Sequence, residues 1–331
     1  VNRRDFIIAL SGVAVPLAWP RAGRAQQPER IRRIGVLMGF EATDSEAQTF
    51  AKAFGQQLQE RGWVDRKNAR FEYRWASGSF ERFKNYAAEL VALKPDVILA
   101  NTTPAVAALQ QQTSTIPIVF VQVADPLGQG FVASVAHPGG NLTGFSFVDF
   151  TVGGKWLETL KEIAPAVSRV AVIYNPKTMP FTAYLPSLQS AATSLGMEMI
   201  AAPVQDDGEI EGAVSAVSRE SGGGLCLIAD PFIAEHALKI VELAARYRVP
   251  AIYPRRRFVV DGGLIAYGTD VIDLFKGAAG YVDRILRGEK PGDLPVQSPT
   301  KYELILNLKT ARNLGINVPP ALLARADEVI E

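Results

Sequence analysis

Beyond Pro28 the chain alternates short apolar, β-branched runs with amphipathic stretches, the pattern of βαβ units and parallel sheets. "RRIGVLMGF", "ARFEYRWA", "DVILANTTP" and "IPIVFVQVADP" read as strands. Apolar residues at helical spacing predict helices around Glu46–Arg61, Glu81–Leu93 and Pro104–Gln112 between them. The same order then returns. "RVAVIYNP", "MEMIAAPV", "GLCLIADP" and "VPAIYP" alternate with helices expected around Tyr184–Leu195, Glu209–Arg219 and Ile233–Tyr247. No strict repeat underlies this; the symmetry is one of element order. Glycine-rich "PGGNLTGFSF" and "DGGLIAYGTD", with "GEKPGDLPVQSP", suit chain crossings between lobes. The expectation is an α/β protein of two doubly wound lobes with parallel sheets, joined by three crossings around a ligand cleft. The first lobe takes residues 28–144 plus 264–290, and the second 145–263 plus 291–331.

The first 25 residues follow a different pattern. Arg3 and Arg4 precede an apolar stretch from Ile7 to Trp19, then small residues at Gly23 and Ala25. That stretch is too short for the ~20 residues that span a bilayer and contains Pro16. It predicts an export signal cleaved near Ala25, twin-arginine-like or Sec-dependent, and a mature chain in the periplasm. Cleavage removes four arginines and one aspartate, so a formal charge of +1 becomes slightly negative. Lysine plus arginine (35) nearly match aspartate plus glutamate (34), with no basic stripe, which argues against a nucleic-acid partner. One cysteine, Cys226, rules out an internal disulfide, and two histidines leave little for a zinc site. No metal or cofactor is expected.

"GQGFVA" after the strand ending at Val123 matches the glycine fingerprint of dinucleotide sites, but Pro138-Gly139-Gly140 breaks the helix that must follow. No Walker-type loop, nucleophile elbow or zinc-protease helix occurs. Ligands of doubly wound sheets bind at the carboxyl ends of the strands, and polar residues gather there. Thr102-Thr103-Pro104 opens a helix, with Thr103 read as its N-cap and Pro104 as its first residue. Thr103 either caps only, or its helix end also takes a ligand carboxylate. Asp125 and Asp230 each end a strand and precede a proline; they initiate turns or meet an ammonium group from opposite lobes. Asn101, Gln122 and Asn175 offer amides, and Phe40, Tyr174, Phe232, Tyr253 and Tyr267 offer aromatic faces suited to a flat or apolar ligand.

Long blocks carry a resemblance that short motifs do not. "ELVALKPDVILANTTPAVAALQQ", "TIPIVFVQVADPLGQGFVASVAHPGGNLTGF", "GKWLETLKEIAP" and "PTKYELILNLKTARNLGINVPPALLARADEVIE" resemble the substrate-binding proteins of ABC transporters of the tryptophan/tyrosine type. The resemblance implies a type 1 periplasmic binding fold that closes on a small molecule, an amino acid and aromatic in some relatives. It implies no enzyme, an ABC permease with its ATPase as partners, and contact with the membrane only through the permease. Its ligand contacts would fall at Phe40, Thr102, Thr103, Asp125, Asn175 and Asp230. An exported enzyme or a sensory protein using the same cleft is the alternative. A repressor of this fold would carry a helix-turn-helix where the export signal stands.

Overall fold

Away from the sheet edges the apolar runs form strands buried on both faces, as parallel strands covered by helices must be. The computed structural model describes residues 31–147, 149–177 and 181–331 and sets these strands in two sheets. The export signal expected over residues 1–25 lies outside the described residues. In the first sheet β1 (Arg32–Met38), β2 (Ala69–Trp75), β3 (Val97–Asn101), β4 (Ile118–Val123) and β5 (Leu142–Ser146) run parallel in the order β2-β1-β3-β4-β5. The crossovers are α1 (Ser45–Glu60), α2 (Phe80–Ala92) and α3 (Thr103–Gln112). Local sequence fixes the starts of the first two. Asp44 and Ser79 accept the Ala47 and Arg82 N–H groups that a helix start leaves unpaired. Gly144 has φ +155°, and a Cβ there would stand 2.1 Å from the Phe120 carbonyl oxygen, so β5 lies against β4 only as glycine.

The second sheet holds β6 (Arg169–Tyr174), β7 (Glu198–Pro203), β8 (Gly223–Leu227), β9 (Ala251–Tyr253), β10 (Ile265–Thr269), β11 (Tyr302–Asn307) and β12 (Glu328–Ile330). Their order is β12-β11-β10-β9-β8-β6-β7, parallel except where β11 meets β10. The helices of this half are α4 (Val152–Ile163), α5 (Leu185–Ser194), α6 (Asp207–Ser218), α7 (Pro231–Glu235), α8 (Ala237–Arg246) and α9 (Arg256–Val260). α10 (Val271–Leu286) follows β10, and α11 (Leu308–Leu314) and α12 (Pro320–Arg325) close the chain. Successive strand residues face opposite cores: Val170 and Val172 point to one, Ala171 and Ile173 to the other. The first sheet does the same with Val36 and Leu37.

Three details depart from the sequence expectation. The helix over Ile233–Tyr247 is two, α7 and α8, broken at His236. That ring lies 2.8 Å from the Phe232 carbonyl through Nδ1 and packs on the Phe232 ring at 4.0 Å, in place of a continuous helix. The segment 264–290, assigned to the first lobe, is divided. β10 pairs with β9 and β11 in the second sheet, whereas α10 packs on α1 and lays Phe275 against Phe50 at 5.2 Å. The segment after residue 290 also starts in the first lobe, where Gln297 pairs with Phe145 before the chain reaches β11. Ladder hydrogen bonds decide both boundaries. The crossings therefore run between β5 and α4, β10 and α10, and Gln297 and β11.

Candidate functional site

The strand order of the first sheet reverses between β1 and β3, and that of the second between β6 and β8; crevices open at such switch points. At the first lie Gly39 and Phe40 beyond β1 and Asn101, Thr102 and Thr103 at the end of β3. At the second lie Tyr174 and Asn175 at the end of β6 and Asp230 beyond β8.

A hydrogen-bonded web braces the first set. The Asn101 Oδ1 accepts the Gly39 N–H (3.1 Å), and its Nδ2 donates to Gln122 Oε1 (2.8 Å). Gln122 reaches under Asn101 because β4 bulges there, with φ +57° at Gln122 and a register shift between Val121 and Val123. Asn101 is fully buried and Gln122 nearly so; both hold the wall beneath the strand tips. Thr102, not Thr103, is the residue that caps α3, and it makes no side-chain cap bond. Its backbone stands at φ +82°, ψ +155°, a region that glycine ordinarily occupies, and its buried Oγ1 has no hydrogen-bond partner among the described residues. Thr103 instead accepts the Ala124 N–H on its Oγ1 at 3.3 Å, tying α3 to the loop after β4. In that loop Asp125 is exposed at φ +42°, with Oδ1 accepting the Gly128 N–H at 2.9 Å.

On the second lobe Asp230 is buried and caps α7, accepting the Phe232 and Ile233 N–H groups at 2.7 and 3.2 Å. Asn175 is buried and accepts the Lys177 N–H at 2.8 Å. Tyr174 stacks on Phe181 at 4.0 Å, and Tyr267 stacks on Tyr302 at 5.5 Å. Tyr253 is not at the cleft surface. It is 1% exposed and stacked on Phe258, because β9 is a central strand and its side chain points into the core.

A cavity of about 690 Å³ joins the lobes, lined by Asp44, Glu46, Thr49 and Phe50 of the first and by Arg255, Arg257, Asp261 and Glu303 of the second. Thr269 and Asp270 of the crossing close its hinge side. Phe40 meets Phe50 edge-on at 6.3 Å, which connects the cavity to the β1 tip. Arg257 faces Asp44 across the lobes at 3.7 Å. Burial, with Asp270 beside it and against Arg256, pushes the Glu303 carboxyl up to about 7. A smaller chamber of about 30 Å³ adjoins it, lined by Phe147, Asp149, Trp156, Tyr184, Arg255 and Tyr302. Burial alone would raise the Asp149 carboxyl, but donors from Thr151 and Tyr302 hold it below the usual range. Among the described residues no group of His, Cys, Asp and Glu is placed to hold a metal ion.

Sequence reasoning missed the cavity's charged lining. The run Arg255-Arg256-Arg257 directly after a strand was visible as text; Glu303 and Asp270 meet only through the antiparallel pairing of β11, which left no local mark.

Two doubly wound lobes joined by three crossings, with a cavity lined from both, define a cleft-type binding protein. The family model for "ABC transporter substrate binding protein" matches residues 36–330, and the chain belongs to that family. It is 28% identical over 287 residues to a tyrosine-binding protein of Clostridioides difficile (strain R20291), covering 86% of this chain and 81% of that one. A conserved domain protein of Vibrio cholerae superposes with a TM-score of 0.78 at 28% identity, over 91% of this chain and 100% of that one. An ABC domain from Streptococcus pneumonia, solved in complex with L-Trp, superposes with a TM-score of 0.78 at 24% identity, over 90% and 99%. The α/β fold and the binding-protein class expected from the sequence stand.

Proposed function

We propose that this chain is the exported, periplasmic substrate-binding component of an ABC importer, capturing a small molecule, an amino acid, between its lobes. An ABC permease and its ATPase receive the ligand, and the chain performs no catalysis of its own. The observation that carries the reading is a cavity lined by residues of both lobes, in a chain of two doubly wound sheets that matches the binding-protein family from residue 36 to 330. Aromatic amino acids are the first candidates, since relatives are named for tyrosine or were solved with L-Trp. On this reading the ligand meets Phe40, Thr102, Thr103 and Asp125 from the first lobe and Asn175 and Asp230 from the second, while Asn101 and Gln122 brace the strand tips.

A thermal-shift screen of the protein against the amino acids and small carboxylates tests this, because a cleft ligand raises stability by mass action. At a hundred times its Kd, a ligand adds about 2.7 kcal/mol. L-tyrosine or L-tryptophan is expected to raise the melting temperature by several degrees. No shift with any amino acid at millimolar concentration sinks the reading. Turnover assays on any ligand that shifts the melt separate a binder from an enzyme.

A further inference from the structure

Three arginines follow β9 in succession, and two are committed. Arg256 forks onto Glu328 through Nε and Nη2 at 2.6 and 2.7 Å. Arg257 faces Asp44 at 3.7 Å and Asp261 at 3.5 Å. Arg255 has no ion pair among the described residues, although it lines both the inter-lobe cavity and the aromatic chamber beside it. On the same cavity Glu303 is half-buried and likewise has no lysine or arginine in ion-pair contact among the described residues.

Gly268 relates the two. Glu303 is its register partner on β11, and the Arg255 backbone nitrogen lies 3.7 Å from where a Gly268 Cβ would stand. The Pro254 backbone crosses over Gly268, so Arg255 and Glu303 are rooted on either side of a position where a side chain has no room. Neighbouring strands lie about 4.8 Å apart, so the two roots are separated by roughly two strand spacings, a gap that a long arginine and a small zwitterion fill.

We propose that Arg255 and Glu303 read the two charged ends of the ligand: Arg255 forks onto the carboxylate, and Glu303, with Asp270, takes the ammonium. This rests on the reading of the chain as an amino acid receptor and names the groups that select the zwitterion. The guanidinium presents paired donors that match a carboxylate, which an ammonium side chain does not. The aspartates at the strand tips are poor rivals, since Asp230 caps α7 and one oxygen of Asp125 holds the Gly128 N–H. The charged groups facing Glu303 are Asp270, Arg256, Glu328 and Glu46, and its carboxyl titrates at about 7, so a ligand ammonium drives its proton to solvent.

The test is calorimetric titration of the whole protein with L-tyrosine, with tyramine (no carboxylate) and with hydroxyphenylpropionate (no ammonium). Arg255→Met is expected to weaken L-tyrosine by about 30-fold or more while leaving tyramine within about twofold. Arg255→Lys, which keeps the charge and loses the fork, falls between. Glu303→Gln spares hydroxyphenylpropionate and abolishes the proton release that wild type shows near pH 7 in buffers of different ionisation enthalpy. Melting curves of each variant identify any that misfolds, and Arg255→Lys then carries the result. Equal binding of L-tyrosine by wild type and both Arg255 variants overturns the assignment, as does an Asp125→Ala loss confined to ligands bearing the ammonium. Wild type that binds no amino acid overturns the receptor reading and this assignment with it.

Discussion

Thr102 holds a β-branched side chain at φ +82°, where the backbone costs about 1–3 kcal/mol more than in an allowed well. Thr102→Gly removes that strain and adds about 0.5–1 kcal/mol of unfolded-state entropy. The variant is expected to be more stable by roughly 1 kcal/mol and to bind its ligand less tightly, read by denaturant melts beside titration. A variant destabilised with unchanged affinity contradicts a role for the strained tip in the cleft. Glu303 gives a pH dependence of definite sign. Its folded pKa of about 7 stands above the free value of 4.5, so the folded chain holds more protons across that window. Stability from this group therefore falls as pH rises through the window, and the whole penalty is present above it. Glu303→Gln should melt as wild type does at pH 4 and gain roughly 1 kcal/mol at pH 8, a figure discounted because water screens a half-buried carboxylate. At this scale the sequence was only partly legible. "NTTP" announced a strand end and a helix start, yet the cap fell on Thr102 because Thr103 was needed to bond the loop after β4.

Elements were more legible than residues, because amphipathic period and capping are local. The helices expected from Glu46 and Glu81 begin one residue earlier, at Ser45 and Phe80, behind the caps Asp44 and Ser79. The antiparallel β10–β11 pair was not legible, since its partners are far apart in the chain and nothing local fixes their register. On its other side β10 depends on Gly268. A Cβ there would stand 1.9 Å from the Pro254 carbonyl oxygen, backbone that cannot give way without parting β9 from β10. Gly268→Ala is expected to cost about 3 kcal/mol or to prevent folding, whereas the solvent-facing Gly212→Ala in α6 should stabilise by up to about 1 kcal/mol. Chemical denaturation of the two variants in parallel decides whether the close approach is real.

At the scale of the molecule the lobes are joined by three crossings and by the Asp44–Arg257 pair on the cavity's rim. Asp44 also caps α1 through Oδ1, so Asp44→Asn keeps the cap and loses the charge. An exposed pair contributes less than about 1 kcal/mol. Asp44→Asn and Arg257→Gln should therefore weaken ligand binding by no more than about fivefold, and high salt should erase the difference from wild type. Small-angle scattering should show a smaller radius of gyration with saturating ligand, as hinge closure requires. An identical profile with and without ligand speaks for a fixed cleft.

The path of α10 has a consequence for how the protein is made. The first lobe's core needs Phe275, Ala278 and Val282, which are encoded after five of the seven strands of the second sheet. A ribosome that has just completed β5 has released α1 with Phe50 lacking its ring partner Phe275, which arrives only when α10 emerges. Vectorial synthesis therefore delivers two unfinished halves, and each becomes stable only when the last third of the chain arrives. A fragment ending at Phe147 is expected to bind a hydrophobic dye and to melt without cooperativity, and adding the α10 peptide in trans should restore a sharp transition.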